Sequence, residues 1–244
     1  MSTATPDTRI RVQRDASRAR AQLVVGKLAP RLISRTPDRV HVGITAAEMI
    51  LLDADRVHLD VEVGPGCTLH LEDIGGMVAY PRRRPQEPGP PAEWHVSLRL
   101  AEDARLVWEG LPFVIAESAD VQRTTSVQMA AGARALIRET LVWGRSGETG
   151  GQLRSTTHAY DDAGDILFED LAADAAAPDP GMLGEHRVMD SLIALGFDPE
   201  PAPGDLVLAE TGAVARHLGA DTHSSPLSGR LAVWRRDMTS SPSS

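Results

Sequence analysis

The chain has a single cysteine, Cys67, and few aromatics: four tryptophans, two tyrosines and three phenylalanines in 244 residues. One cysteine excludes an internal disulfide framework and a cysteine-based zinc site, and it fits a reducing compartment. With aromatics scarce, the core must be built from Val, Leu, Ile and Ala. A long basic run is also missing, and the formal net charge is -9; binding along a nucleic-acid backbone is therefore excluded as the main role. No apolar run is long enough to span a bilayer. The N-terminal stretch MSTATPDTRIRVQRDASRARAQ has no apolar core of a secretory signal. The expectation is a soluble cytoplasmic protein of one domain or two small ones.

Enzyme signatures are missing too. Gly144-Arg145-Ser146-Gly147 approaches a nucleophile elbow, but Glu148 stands where the last glycine belongs. There is no Walker A sequence. Gly64-Pro65-Gly66 lacks the third glycine of a dinucleotide loop and joins two strand-like runs instead of opening a helix. Cys67 follows that turn with no activating base in view, which fits a structural thiol better than a nucleophile.

What is present is period-two alternation. Val57, Leu59, Val61 and Val63 fall on one face of an extended run, with His58, Asp60 and Glu62 on the other. Gly64-Pro65-Gly66 interrupts it and Thr68–Glu72 resumes it, a strand, a turn and a strand. The pattern returns at His95–Trp108, at Thr125–Glu139 and at Thr156–Glu169, with turns spaced by roughly 30 to 40 residues. This predicts an all-β fold, mostly antiparallel: stacked sheets or solenoid-like layers of hairpins with one or two short helices. Glu210–Leu218 is the helix candidate, with Gly219 as its cap. Asp205–Leu208 reads as extended, and Arg230–Trp234 as a segment docking the C-terminus on the core. Residues 1–18 read as a flexible lead-in, 19–238 as the β domain and 239–244 as a disordered tail. The proline-rich stretches Pro81–Glu93 and Ala172–Gly184 read as loops. Within the first, Arg82, Arg83 and Arg84 are the one dense basic cluster, a solvated loop or a small phosphate patch.

The eight histidines form no HxH or HExxH pattern. His58 and His70 flank the first turn and would face one another across a hairpin, as two sheet histidines or as a metal pair. No set of two histidines and a carboxylate on adjacent strands is legible. Asp60, Glu62, Glu72 and Asp73 gather around the first turn, and Glu139 and Glu169 each stand near the end of an apolar strand. A carboxylate at the edge of a core is solvated, paired or raised in pKa. Ordinary edge solvation and a hydrated passage for a divalent cation both fit. Trp94, Trp108, Trp143 and Trp234 sit within apolar runs and are expected in the core.

Three segments, in order, carry a resemblance. They are Asp53–Tyr80 (DADRVHLDVEVGPGCTLHLEDIGGMVAY), Ala119–Glu148 (ADVQRTTSVQMAAGARALIRETLVWGRSGE) and Leu153–Leu171 (LRSTTHAYDDAGDILFEDL). The region from about Ala46 to Leu171 resembles the urease accessory protein UreD (UreH) family, in a divergent, actinobacterial-like branch. The family's paired glycine is Asp53-Ala54 here, and its segment after the first turn is Glu72-Asp73-Ile74-Gly75-Gly76. The resemblance implies an all-β stacked-sheet protein without catalytic activity. It implies a scaffold that joins the helical accessory protein UreF and the GTPase UreG to apo-urease and aids nickel insertion. No tightly bound cofactor is implied, only transient nickel. By position, Asp55, Glu139 and Glu169 match acidic residues of an internal nickel route. The competing expectation is a small cupin-like metal-dependent enzyme.

Overall fold

A computed structural model describes residues 7–15, 18–83, 89–175 and 182–239. In chain order these form β1 (Thr8–Asp15), β2 (Arg18–Val24), β3 (Leu28–Arg35), β4 (Arg39–Ala46), β5 (Arg56–Val63), β6 (Thr68–Asp73), β7 (Met77–Ala79), β8 (Ala92–Leu100) and β9 (Arg105–Glu109). They continue with β10 (Phe113–Ile115), β11 (Asp120–Met129), β12 (Arg134–Trp143), β13 (Gln152–Tyr160), β14 (Asp165–Asp174), β15 (Val188–Leu195), β16 (Leu206–Val207), β17 (Gly212–Gly219) and α1 (Leu227–Thr239). The all-β expectation holds.

Two sheets face each other. One runs β14-β13-β11-β8-β5-β1-β2, the other β16-β17-β15-β12-β9-β6-β4-β3, with β10 and β7 continuing from β12. Most of the hairpins expected from the sequence are not hairpins. β5 and β6 lie in different sheets, as do β8 and β9, and β11 and β12. Each turn is an arch from one layer to the other, so equivalent strands run in the same direction. β1, β5, β8, β11 and β13 are therefore paired in parallel, as are β4, β6, β9 and β12. Antiparallel pairing is confined to the ends: β1 with β2, β3 with β4, β13 with β14, β15 with β12 and β17, and β16 with β17. The expectation of mostly antiparallel pairing is corrected and the layered, solenoid-like one is kept. Alternation cannot separate an arch from a hairpin, because both bring apolar faces inward.

The arches stack on each other. Gly64–Cys67, Ala101–Ala104 and Ala130–Ala133 each close a turn from the fourth residue's N–H to the first residue's carbonyl, at 3.1, 3.0 and 3.1 Å. Gly66 N–H donates to the Glu102 carbonyl, and Asp103 N–H to the Ala131 carbonyl, tying turn to turn. The third residues, Gly66, Asp103 and Gly132, all have positive φ, at 60°, 54° and 68°, the left-handed geometry that glycine adopts without strain. The fourth, Cys67, Ala104 and Ala133, form a buried ladder of small side chains. Cys67 is thus a packing residue, and burial pushes its thiol pKa up, away from nucleophile chemistry.

The core lies between the sheets, where Val57, Leu59, Val61 and Val63 meet Leu69 and Leu71. All four tryptophans are buried. Other expectations are corrected. The lead-in contributes strand β1, whose Ile10 and Val12 enter the core. Glu210–Leu218 is not a helix: most of it is β17, with Ala213 and Val214 on opposite buried faces, because pairing with β15 overrides weak helical periodicity. The helix is α1, and Leu227, Leu231, Trp234 and Met238 bury one stripe of it. That stripe packs on Val107, Leu136, Leu192 and Ala215 on the outside of the larger sheet, so Arg230–Trp234 docks as part of a helix on an outer face and not on the core between the sheets. Ala92 and Glu93 of the first proline-rich stretch begin β8, and Ala172–Asp174 of the second end β14. Residues 84–88, 176–181 and 240–244 of the expected loops and tail lie outside the described residues. No described helix is long and apolar enough to cross a membrane.

Candidate functional site

Charged residues stand in phase with apolar ones on the inner faces. On β11, Arg123 and Thr125 share a face with Val121 and Val127, and on β12 Glu139 falls between Ile137 and Leu141 on theirs. A charge in that phase must face the space between the sheets. Arg123 Nη2 donates to Glu139 Oε1 at 2.5 Å, with only 7% of the arginine side chain exposed. The guanidinium also lies over the Phe113 ring, 4.6 Å from its centroid. Its Nε and Nη1 have no hydrogen-bond partner.

Around this pair is a cavity of about 40 Å³, lined by Asp73, Trp108, Arg123, Thr125, Glu139 and Thr157 among others. It can hold about three waters at ~10–15 Å³ each. Trp108 Nε1–H donates to Asp73 Oδ1 at 3.1 Å and Leu111 N–H to Oδ2 at 3.0 Å. Burial pushes the Asp73 carboxyl up to about 6, although these hydrogen bonds and Arg123 pull it the other way.

A polar stripe continues from the cavity across the larger sheet. Glu139 is opposite Ser191 on β15, and Ser191 opposite Arg216 on β17. Arg216 Nε–H donates to Ser191 Oγ at 3.1 Å, and its Nη2 pairs with Glu169 of the facing sheet at 2.7 Å. On that facing sheet, Ser155 and Thr157 of β13 are buried. The stripe ends at Arg216 and Glu169, whose side chains are each 32% exposed.

The structure thus brings two of the three expected acidic residues onto one interior line. Neither is at a strand end, as alternation suggested: β12 runs on past Glu139 and β14 past Glu169. Asp55 is elsewhere, accepting from Lys27 Nζ at 2.6 Å and Leu52 N–H at 3.2 Å. Sequence reasoning missed Arg123, Ser191 and Arg216, and placed Asp73 only in a surface cluster. The available signal was phase, since Arg123, Glu139 and Asp73 each replace an apolar residue on the buried side of an alternating strand.

The histidines are also arranged differently. His58 and His70 do not face each other, because their strands lie in separate sheets. Instead His41 stacks on His70 with ring centroids 4.2 Å apart, and His58 on His95 at 4.8 Å. Each pair sits opposite in a parallel register. His41, His70 and Glu72 hold three donor atoms within 4.8 Å of one another, so the two-histidine, one-carboxylate set absent from the sequence pattern does exist, on adjacent strands β4 and β6. It lies on the outer face of the larger sheet, since Val40, Val42, Leu69 and Leu71 of the opposite phase enter the core. The Arg82 guanidinium is drawn toward acidic neighbours, with Asp120 at 3.4 Å and Asp53 at 4.0 Å.

Residues 35–235 match the family model described as UreD urease accessory protein. "Urease accessory protein UreD 1" of Streptomyces griseus subsp. griseus is 40% identical, over 96% of this chain and 94% of that protein. "Urease accessory protein UreD 3" of the same organism is 31% identical over 70% of this chain and 64% of that protein. The UreD of Streptomyces coelicolor is 37% identical over 50% of each. With a family match across most of the chain and a relative matched nearly end to end, this protein belongs to the UreD urease accessory protein family.

Proposed function

We propose that this protein is a non-catalytic urease maturation factor, a cytoplasmic scaffold that links UreF and the GTPase UreG to apo-urease and aids nickel insertion. The observation that carries the proposal is the family match over residues 35–235. Nickel is cargo in this scheme, and no tightly held cofactor is required. The polar stripe between the sheets supports an internal path, with Glu139 and Glu169 as successive carboxylates and Asp73 beside the first of them.

The chemistry suits transfer over storage. Carboxylates, hydroxyls and water bind nickel less firmly than imidazole does. Each acidic residue is already neutralised by a cation: Glu139 by Arg123, Glu169 by Arg216 and Asp55 by Lys27. A divalent ion must compete with that fixed positive charge, so its residence at any one carboxylate is short. Asp55 belongs to the same proposed route as a third carboxylate exchanging its lysine for the ion.

The test is co-purification with UreF, UreG and apo-urease, together with metal analysis of the urease formed. Association with UreF and nickel-poor urease in the deletion strain are expected. A chain that binds none of these partners, or fully nickel-loaded urease in its absence, would overturn the proposal. One observation favours the metal-enzyme reading, the His41, His70 and Glu72 set. That reading requires turnover by the isolated chain.

A further inference from the structure

We infer that His41, His70 and Glu72 form a binding site for one borderline divalent cation, of the nickel and zinc class, on the outer face of the larger sheet. The inference goes beyond the proposed function, because the site stands apart from the interior stripe and needs no partner protein. Two imidazoles and a carboxylate are the mixed nitrogen and oxygen set that such ions select.

The backbone supplies the rigidity. His41 and His70 are direct partners on parallel strands β4 and β6, whose spacing is about 4.8 Å. Glu72 is two residues beyond His70 and so shares its face. Opposite it in the register is Gly43, where a Cβ would come within 2.5 Å of Ile74 Cδ1. The half-exposed Ile33 and Ile74 therefore close over Gly43 and give the cluster an apolar rim.

The histidines are only 20% and 13% exposed at their side chains. His41 Nε2 is buried and makes no hydrogen bond, although Glu72 Oε2 is 3.2 Å away. A buried ring nitrogen without a hydrogen bond, with a carboxylate beside it, is what a cation between them would resolve. Metal–donor bonds of about 2.0–2.1 Å put tetrahedral ligands roughly 3.3 Å apart. The three donor atoms lie within 4.8 Å of one another, so a bound ion requires them to draw together. A further carboxylate, Glu109, meets His70 Nε2 at 2.8 Å and is itself held by Arg235 of α1 at 2.8 Å.

The second stacked pair, His58 with His95, is the built-in control. Glu93 contacts His95 at 3.0 Å, but His41, His70 and Glu72 are the one three-donor group among the described residues.

The experiment is equilibrium dialysis of the chelator-treated full chain against nickel or zinc chloride alone, with cobalt absorption as a second readout. About one equivalent is expected, lost in the double variant His41→Ala/His70→Ala and retained in His58→Ala/His95→Ala. Glu72→Gln is expected to weaken binding at least tenfold and to change the cobalt spectrum. Should the double alanine variant fail to fold by circular dichroism, His41→Gln alone must show the loss. Absence of binding to the wild-type chain overturns the inference. So does an unchanged equivalent in folded His41 variants, or its loss in the His58/His95 control.

Discussion

Arg123 on β11 and Glu139 on β12 meet at 2.5 Å across the gap between the two sheets, the arginine nearly fully buried. Removing one partner leaves the other charge uncompensated. Glu139→Ala is expected to destabilise the fold by about 3–5 kcal/mol, whereas Arg123→Met combined with Glu139→Leu is expected to cost far less or nothing. Guanidinium unfolding of the three chains checks this. It also shows why Glu139→Gln, which keeps the shape and an acceptor, is the better probe of the proposed nickel path.

Asp73 should titrate late. Its carboxyl is pushed up to about 6 by burial, from an ordinary value of 3.8. A carboxyl raised on folding binds more protons in the native state than in the unfolded one over that interval. Its contribution to stability is therefore greatest at low pH and is lost as pH rises from about 4 to about 6. Carbon-detected NMR of the Asp73 carboxyl should give a midpoint near 6. A midpoint near 4 would mean that the cavity is wetter than its lining implies.

The stacked arches predict an ordered pair of glycine effects. A Cβ at Gly66 meets nothing within 4 Å, so Gly66→Ala should cost only the left-handed penalty of about 1–2 kcal/mol. A Cβ at Gly132 would stand 2.3 Å from Asp103 Oδ1. Gly132→Ala should therefore cost more, and adding Asp103→Gly should return it to the Gly66→Ala level. Thermal unfolding of the three variants separates these outcomes.

Helix α1 is held by one large anchor. Trp234 is 1% exposed, packs with the outer-face cluster of the larger sheet, and has Arg230 stacked over its ring at 4.8 Å. Trp234→Ala is expected to cost about 3–5 kcal/mol and to expose Val107, Leu136 and Leu192. Chemical denaturation, with dye binding to report the uncovered face, measures both.

These predictions divide by how visible their residues were in the sequence. Val57 to Val63 and Thr68 to Glu72 announce two strands and an intervening turn, and the structure has both. Their partners were not visible. Whether β6 folds back on β5 or crosses to the other layer depends on a turn whose residues serve either geometry. The same ambiguity governs the histidines: His70 meets His41, 29 positions earlier, only because β4 and β6 pair in parallel. Glu139 was legible as a carboxylate at odds with its apolar neighbours. Its partner Arg123 shares the buried phase of β11, but in the run Arg123-Thr124-Thr125-Ser126 polar residues occupy both faces and mask the period. Arg216 was hidden by a helical reading of β17, where small residues such as Gly212, Ala213 and Ala215 carry little periodic signal.

The most direct measurement is the nickel content of urease matured in cells that carry UreF, UreG and either the wild-type chain or Glu139→Gln combined with Glu169→Gln. The account predicts that the variant still co-purifies with UreF and that its urease holds markedly less nickel per active site. Fully loaded urease, made with a variant confirmed to be folded and bound to UreF, would contradict the interior route.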